Sequence, residues 1–429
     1  MKRSVDMGVG RRIDRWVGLF LCALLLLVAR IRSRLGGPTH PGMRATTPPG
    51  QGPVHPPRRI LAIKLYGLGN IAMLLPVIGA LRRGLPGTEI DFLTLDENRT
   101  LLDRAGLVDR TIGMSVKGYG ALLASLWRAF RTIRRRRYDT VIDFEQFIKL
   151  SAIVAYLSGA RERIGFNTDG QRRGWLYTTR VVYMDSEHMR GMFMRLLRPL
   201  QIDTSTPALT LPVGPEEAAR AEALLAAHGV ASGQLPLIGV HVGSGPNFYE
   251  VPLKRWPTQN YARLCDALIE RHGAAIVFTG KGDGERALIR ETIALMHHPA
   301  IDACDALSVG ELLALLRACH LVVSNDTSVM HLAAALKTPL VALFGPTNPR
   351  QYGPGNDEDL VFYRDLFCSP CLTNYNLKVS YCSDPVCIRT ISVEEVLAGI
   401  EERFLSADAP ARTRVEAGAA AARRATKSE

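Results

Sequence analysis

Four short segments of this sequence combine glycine with hydroxyl, amide, carboxylate or basic side chains, a composition typical of loops that hold phosphate. They are residues 66–70 (YGLGN), 241–245 (HVGSG), 280–283 (GKGD) and 324–328 (SNDTS). Glycines let the backbone approach a phosphate closely, and the N–H groups at a helix N-terminus attract an anion. Taken singly, each segment also fits a plain strand-to-helix turn. The sequence contains no Walker motif, and GLGN is too short for a dinucleotide-binding fingerprint.

These segments must be positioned by the elements around them, and each follows a short apolar run that predicts a buried strand. In the first half we predict strands at 60–65, 89–95 and 140–144, with helices at 71–85 and 122–136. In the second half we predict strands at 237–243, 274–280, 320–326 and 339–345, with helices at 216–228, 258–272, 284–295, 309–318 and 328–336. Such alternation indicates parallel sheets covered by helices, whose ligands bind beyond the carboxyl ends of the strands.

The fold class is therefore α/β, with two Rossmann-like domains whose parallel sheets face each other across a cleft. We expect an N-terminal hydrophobic helix in residues 1–35 and a Pro/Gly-rich linker in 36–57. The first Rossmann-like domain covers 58–212 and the second 213–405. The Ala/Arg-rich residues 406–429 are expected to be a disordered tail.

The net charge of +12 is concentrated at the ends of the chain. Residues 1–59 carry eleven Lys and Arg against two acidic residues, whereas residues 60–407 are nearly neutral. A nucleic-acid-binding protein usually carries its positive charge on the folded domain, so this class is excluded and a membrane surface is favoured as partner. The basic run from Arg131 to Arg137 is either a solvated helix end or a contact for anionic lipid.

The uncharged apolar run at 16–29 is short for a spanning helix, which needs about 20 apolar residues. No small-residue cleavage site follows it, which argues against a cleaved signal peptide. We expect an uncleaved anchor or an interfacial helix. The other reading is that translation starts at Met43.

Several motifs resemble glycosyltransferase family 9, the ADP-heptose:lipopolysaccharide heptosyltransferases. SNDTSVMHLAAALKTPLVALFGPT is similar to the donor-binding signature of that family, and LIGVHVGSG with LKRWPTQNYARL resembles its second motif. ILAIKLYGLGNIAMLLPVIGALRRGLPGTEIDFLT and YDTVIDFEQFIKLSAIVAYLSGARERIGF resemble its opening and its central acceptor-domain stretch. The resemblance implies a GT-B fold and an inverting transfer of a sugar from a nucleotide donor.

The resemblance also implies roles for individual residues. Lys254 matches the phosphate-binding lysine of the family, and the loop containing Asp326 and Thr327 matches the segment that meets the sugar and the diphosphate. His331 matches the histidine of that motif, although a helix-packing role is its alternative. The full set of donor-binding candidates is Ser244, Lys254, Gly280, Asp283, Asp326, Thr327, Ser328 and His331, and the acceptor loop contains Gly67 and Gly69.

One position departs from the family pattern. Family members usually carry an aspartate, the presumed general base, where this chain has Asn70, and an amide cannot accept a proton at neutral pH. Three readings stay open. Asp143 or Glu145 is the base, Asn70 only orients the acceptor, or the protein binds its ligands without turnover.

The last candidate site is a cysteine cluster, Cys368, Cys371, Cys382 and Cys387, spaced C-x2-C-x10-C-x4-C. This spacing suits a structural zinc site, and disulfides are the alternative in an oxidising compartment. Catalysis itself is expected to need no cofactor.

Together these observations predict an inverting glycosyltransferase on the cytoplasmic side of the bacterial inner membrane. Its partners are a nucleotide-sugar donor resembling ADP-heptose, a lipopolysaccharide-type glycolipid acceptor and the membrane surface. The alternative is a catalytically silent GT-B module, which Asn70 favours.

Overall fold

The computed structural model describes residues 14, 17–25, 27, 56–204, 211–231, 235–244, 251–376 and 378–405. The chain divides into two compact units. Unit 1 consists of Met1–Leu209 together with Thr373–Lys378, and unit 2 of Thr210–Leu372 together with Val379–Glu429. Most of the predicted linker and the whole predicted tail, residues 36–55 and 406–429, lie outside the described residues.

Unit 1 contains a six-stranded sheet, sheet 1, in the order β3-β2-β1-β4-β5-β6. All five neighbouring pairs in it are parallel. Its strands are β1 (Arg59–Ile63), β2 (Glu89–Leu95), β3 (Arg110–Met114), β4 (Thr140–Asp143), β5 (Glu162–Asn167) and β6 (Thr179–Val182).

The first helix of unit 1, α1, comprises the described helical residues 14, 17–25 and 27. The others are α2 (Leu68–Gly84), α3 (Arg99–Ala105), α4 (Tyr119–Arg136), α5 (Lys149–Leu157) and α6 (Met189–Arg195). Helices α2 to α5 lie between the strands of sheet 1 along the chain, α1 precedes β1 and α6 follows β6. No helix in the described part of the chain is both long and apolar enough to cross a membrane.

Unit 2 contains a second parallel sheet, sheet 2, in the order β12-β11-β10-β7-β8-β9. Its strands are β7 (Leu237–His241), β8 (Ala275–Phe278), β9 (Ile301–Asp302), β10 (Leu321–Asn325), β11 (Leu340–Phe344) and β12 (Leu360–Tyr363). The predicted class of two parallel, helix-covered sheets is therefore confirmed.

The helices of unit 2 begin and end at local sequence signals. They are α7 (Pro215–Ala227), α8 (Thr258–His272), α9 (Gly282–Leu295), α10 (Val309–Ala318), α11 (Ser328–Leu336), α12 (Pro349–Tyr352), α13 (Val386–Arg389) and α14 (Val393–Ile400), followed by a π-helical turn at Glu401–Leu405. Ser308 and Glu311 form a capping box at the start of α10, which satisfies two otherwise unpaired N–H groups. Helix α8 ends where Gly273 adopts the left-handed conformation.

Both sheets reverse their strand order at an equivalent place. In sheet 1 the chain starts at β1, adds β2 and β3 on one side and then β4 on the other; β7 and β10 are the corresponding pair in sheet 2. The central strands are almost wholly buried and apolar, as expected for strands covered on both faces. Ligands of such sheets bind where the order reverses, so the loops after β1, β4, β7 and β10 are the candidate positions.

Candidate functional site

In unit 2, one buried amide joins the two loops at the reversal point. Asn325, the last residue of β10, donates two hydrogen bonds to the carbonyls of Val242 and Gly243 in the loop after β7, at 3.0 and 2.9 Å. Its Oδ1 accepts from the N–H of Trp256 at 3.2 Å and the hydroxyl of Tyr261 at 2.9 Å. Asn325 thereby holds the loop after β7, the Lys254–Trp256 segment and the start of α8 in one arrangement.

Asp326 and Lys254 meet immediately above this amide. The Nζ of Lys254 lies 2.6 Å from Oδ2 of Asp326, and the hydroxyl of Thr347 donates to the same oxygen at 2.7 Å. Burial alone would raise the pKa of Asp326, but Lys254, assisted by His331 and the two hydrogen bonds, lowers it below its ordinary value. The cluster therefore contains a carboxylate, an ammonium and a hydroxyl beside the start of α11.

The N-terminus of α11 carries no side-chain cap in the part of the chain that the structure describes. The N-cap residue is Thr327. Its hydroxyl forms a hydrogen bond with the Ser324 hydroxyl at 3.1 Å and does not accept one from the N–H groups of the first turn. In contrast, Ser308 caps α10 and Ser392 caps α14. Among the described residues, no side chain caps the N–H groups around Ser328, and the helix dipole favours an anionic ligand there.

Two further donor candidates lie close to this cluster. His331 is buried on α11 one turn after Thr327, and its charge would act on Asp326. Ser244 is buried at the end of the described part of its loop, where its hydroxyl accepts a hydrogen bond from Nε of Arg255 at 3.1 Å. These residues come together with Lys254 and Asp326 as expected, while Gly245 lies outside the described residues.

The loop after β8 is arranged differently. The N–H of Lys281 donates to Glu285 at 2.8 Å, and the N–H of Gly282 donates to Asp305 at 2.9 Å, so carboxylates of the protein occupy the amides that lead into α9. Gly280 allows close packing, because a Cβ there would lie 2.7 Å from Ile289. Asp283 is exposed in the first turn of α9. The roles of Gly280 and Asp283 in donor binding stay predictions.

In unit 1, the loop after β1 is fastened from the end of β4. Glu145 is buried; its Oε1 accepts from the N–H groups of Leu65 and Tyr66 at 2.7 and 3.1 Å, and its Oε2 pairs with the buried Lys64 at 2.9 Å. Gln146 accepts a second hydrogen bond from Lys64 at 3.1 Å. Every carboxylate oxygen of Glu145 is thus engaged in holding the loop that leads to Gly67.

Gly67 and Asn70, both half-buried, lie where that loop leads into α2. Gly67 has φ of +89°, a left-handed conformation that favours glycine, and a Cβ on it would lie 2.6 Å from Nδ2 of Asn70. Gly69 is buried in the first turn of α2. The side chain of Asn70 is half-buried and forms no hydrogen bond with any described residue. An amide with both donor and acceptor capacity is therefore presented at this strand end.

Asp143, the other carboxylate near this loop, is inaccessible. Its Oδ2 accepts from Arg173 at 2.7 Å and from the Tyr177 hydroxyl at 2.6 Å, and its Oδ1 accepts from the N–H of Glu145 at 3.0 Å. Burial raises the pKa of Asp143, against the opposing effect of the Arg173 guanidinium. Arg173 also bonds to Ser151 at 3.1 Å, so the group ties β4 to α5. The assignment of Asp143 or Glu145 as base stays a prediction.

The four clustered cysteines do not form the predicted zinc site. None of the described cysteines is in a disulfide, and the described residues contain no group of three or more side chains able to hold a metal ion. Cys368 and Cys382 are exposed while Cys387 is buried, and the sulfur of Cys371 accepts from the Ser380 hydroxyl at 3.2 Å. The thiols lie close enough to raise the pKa of Cys387, an effect that adds to burial, without converging on one point.

Three residues of these clusters were missed at the level of sequence. Thr347 lies three residues after the end of β11, and the pairing of β11 with β10, which Asp326 directly follows, was the available signal. Glu285 and Arg173 offered no signal for their long-range contacts, because Glu285 lies 3.6 Å from His241 and Arg173 bonds to Asp143, which are 44 and 30 residues away in the sequence. Such pairings depend on how the strands are ordered in the sheet.

Comparisons with known proteins show which family model and which relatives this chain matches. The family model described as glycosyltransferase family 9 (heptosyltransferase) matches residues 126–381. Lipooligosaccharide heptosyltransferase 2 of Haemophilus ducreyi is 30% identical over 321 residues, which cover 71% of this chain and 88% of that protein.

Solved structures agree in fold. A family 9 glycosyl transferase from Veillonella parvula superimposes with a TM-score of 0.67 at 24% identity, over 80% of this chain and 96% of that one. The ADP-heptose lps heptosyltransferase II of E. coli gives a TM-score of 0.62 at 22% identity, over 80% and 98%.

Proposed function

The chain belongs to glycosyltransferase family 9 and is a glycosyltransferase; from this membership we propose that it transfers heptose from ADP-heptose to a lipopolysaccharide-type acceptor, with inversion. The relatives carry the names of lipooligosaccharide and lipopolysaccharide heptosyltransferases, which supports both the sugar and the acceptor class. Unit 2 binds the donor and unit 1 the acceptor.

The observation that carries the proposal is the Lys254–Asp326–Thr347 cluster at the uncapped start of α11. As the bond between the anomeric carbon and the β-phosphate oxygen breaks, the departing ADP takes the bonding electrons and gains negative charge. In this proposal the Lys254 ammonium and the α11 amides stabilise that charge. Both groups belong to the protein, and both are positive toward the negative charge that grows on the diphosphate.

Asp326 is suited to hold the sugar. Its Oδ2 is committed to Lys254 and Thr347, whereas its Oδ1 accepts no hydrogen bond among the described residues. The low pKa keeps it an anion, so Oδ1 is available to accept a hydrogen bond from a sugar hydroxyl. Asp326 would therefore fix the orientation of the heptose relative to the diphosphate.

In unit 1, Asn70 is proposed to orient the acceptor hydroxyl for its attack on the anomeric carbon, with the hydroxyl proton released to water. Its amide is a partly exposed polar group of the loop after β1, whereas Asp143 and Glu145 are buried and fully bonded. Glu145 is then a positioning residue for the loop that presents Asn70. A reaction oriented by an amide lacks the contribution of a general base, which is typically 10²–10⁴-fold, as an order of magnitude.

The location proposed for this reaction is the cytoplasmic side of the bacterial inner membrane. The basic residues concentrated before residue 60 support a contact with anionic lipid, and the glycolipid acceptor is itself embedded in a bilayer.

The test is a thermal-shift screen of the purified chain with ADP-heptose and other nucleotide sugars, followed by a transfer assay that measures ADP release. Binding raises the melting temperature by an amount set by the ratio of concentration to Kd, so ADP-heptose should give the largest shift. ADP release should then require the acceptor. A larger shift with a uridine or guanosine sugar would refute the donor assignment, and a shift without any transfer would favour the silent module.

A further inference from the structure

Helix α1 is fastened to unit 1 along one of its faces. Both carboxylate oxygens of Asp14 accept from the N–H of Lys149 at 3.0 Å, and one also accepts from Leu150 at 2.9 Å, so Asp14 caps the start of α5. Four residues later, Gly18 lies against the Lys149 side chain, where a Cβ would be 2.9 Å from the lysine Cβ. Cys22, a further four residues on, is fully buried in the core of the unit.

The opposite face of α1 carries apolar side chains that are exposed among the described residues. Val17, Phe20, Leu24 and Leu27 follow one another at intervals of three and four residues, which places them in one stripe. Phe20 is 65% exposed and Leu27 is 54% exposed. A helix that is apolar all round with only one face packed on protein requires another apolar medium for the other face.

Helix α4 presents a comparable stripe on the same layer of unit 1. Ala129 of α4 and Cys22 of α1 belong to one apolar cluster that packs on one side of sheet 1. The outward residues of α4 include Leu123, 67% exposed, and Trp127, 60% exposed, with Phe130 beside them. The Arg131 guanidinium lies 5.2 Å from the centre of the Trp127 ring. Tryptophan next to arginine is typical of side chains at the boundary between hydrocarbon and lipid headgroups.

The charged side chains that the α4 sequence contributes are all basic. No acidic residue occurs between Ser115 and Tyr138, a range that contains six arginines at positions 128, 131 and 134–137. Within the described ranges, the side chains of Arg128 and Arg135 form neither an ion pair nor a hydrogen bond. The sequence on both sides of α1 is also basic. A symmetric pair of chains meeting at this face would bring arginine against arginine, whereas anionic headgroups neutralise them.

We propose that the exposed stripes of α1 and α4 together form a membrane-docking surface that lies on an anionic phospholipid bilayer, with α1 parallel to the membrane plane. A crossing helix would have to leave the contacts that Asp14, Gly18 and Cys22 make with unit 1. The apolar stripes enter the headgroup region, while the exposed Arg128, Arg131 and Arg135 bind lipid phosphates. This inference rests on the proposed function, because it names the surface through which the enzyme reaches a membrane-embedded acceptor.

The test is flotation of the full-length chain with vesicles of phosphatidylglycerol and phosphatidylethanolamine, compared with vesicles of phosphatidylcholine alone. We expect binding to the anionic vesicles that is weakened about tenfold or more by Phe20→Glu/Leu24→Glu, since two charges would have to enter the apolar layer. Leu123→Glu/Trp127→Glu should have the same effect. Leu295→Glu, at an exposed apolar position of α9 in unit 2, is the matched control and should bind as the unmodified chain does.

Two further measurements keep the outcomes distinct. Brominated lipids should quench the fluorescence of the unmodified chain more than that of Trp127→Phe, a readout that needs no charged variant. Unchanged flotation of both glutamate pairs would overturn the proposal. So would light scattering that shows the α1 face joining two chains in place of binding vesicles. Transfer to a detergent-solubilised acceptor should persist in the docking variants, so a failed transferase and a failed docking surface give different results.

Discussion

Replacing Lys254 with methionine tests the donor cluster directly, because methionine keeps most of the alkyl stem and removes only the charge. The Lys254 and Asp326 side chains are 12% and 8% exposed, so the pair is buried and its loss is not compensated by water. Removing one partner of a buried ion pair costs about 3–5 kcal/mol. Because Thr347 still donates to Asp326, we expect the lower end, about 3 kcal/mol, for Lys254→Met.

The same substitution should weaken ADP binding independently of stability. A hydrogen bond to a charged group contributes about 1.5–3 kcal/mol, which corresponds to a Kd increase of about 10- to 150-fold. Lys254→Met/Asp326→Asn removes the unpaired charge and should therefore recover most of the lost stability while leaving ADP binding weak. This double variant separates the role of Lys254 in the protein from its role toward the ligand.

The destabilisation should also depend on pH with a defined sign. In the unmodified chain the pKa of Asp326 lies below its ordinary value of 3.8, so its contribution to stability is complete above that pH and is lost below it. Burial raises the pKa of Asp326 and the Lys254 charge lowers it, so the pKa should rise when Lys254 is removed. Protonation then relieves the unpaired charge, so the destabilisation is largest at neutral pH and shrinks as the pH falls toward 4.

The assays are urea denaturation of the full chain at neutral and mildly acidic pH, hydrogen exchange of peptides from β10 and α11, and calorimetry with ADP. Hydrogen exchange localises the loss to unit 2. Arg263→Met is the matched control, because its pair with Glu394 is mostly exposed and should contribute less than about 1 kcal/mol. Normal stability and normal ADP affinity in Lys254→Met would refute the assignment of this cluster as the donor site.

Three other substitutions follow from the loops. Asn70→Asp should raise the transfer rate by roughly 10²-fold or more if a general base is what the loop lacks, and an unchanged rate would refute that role. Asn325→Asp should destabilise unit 2 by about 3 kcal/mol in urea denaturation, because a carboxylate cannot donate the two hydrogen bonds that the amide donates, although it still accepts from Tyr261. Gly67→Ala should cost about 1–2 kcal/mol, since φ there is +89°. Gly120→Ala, in open space on α4, should not lower stability.

Much of unit 2 could be predicted from the sequence because its elements carry local signals. Helices α8, α10 and α11 begin and end at the predicted residues. Ser308 precedes α10 with Glu311 three residues later, and Gly273 follows α8, so capping residues mark these boundaries. Strand β2 is likewise confirmed over its full predicted length.

Unit 1 was harder to predict because several of its helices and strands lack such capping residues. Helix α4 begins three residues before the predicted start, where Gly118 is an N-cap without a capping side chain. Strand β6 has only four residues and ends at the exposed Val182, so no periodicity identifies it. For such edge elements, sheet pairing decides the conformation more than the local residues do.

The sequence predicted which loops carry chemically active residues, but it did not predict the hydrogen-bond partners of their side chains. The glycine-bearing loops could be placed at strand ends because parallel strands align their carboxyl ends. The sequence could not predict that Glu145 holds the loop after β1. Leu65 is 80 residues away in the sequence, and the two residues meet only because β1 pairs with β4. The zinc prediction gains no support from the described residues, since spacing alone does not determine whether four sulfurs converge.

The return of Thr373–Lys378 to unit 1 has a consequence for synthesis. Asn374 hydrogen-bonds to the hydroxyl of Tyr183, and the ring of Tyr375 lies 5.9 Å from that of Tyr183, so this short segment covers a core aromatic of the first unit. It leaves the ribosome after about 170 further residues, roughly 10–30 s later at typical elongation rates. Until then, the nascent first unit carries an uncovered tyrosine, a surface on which a chaperone could act.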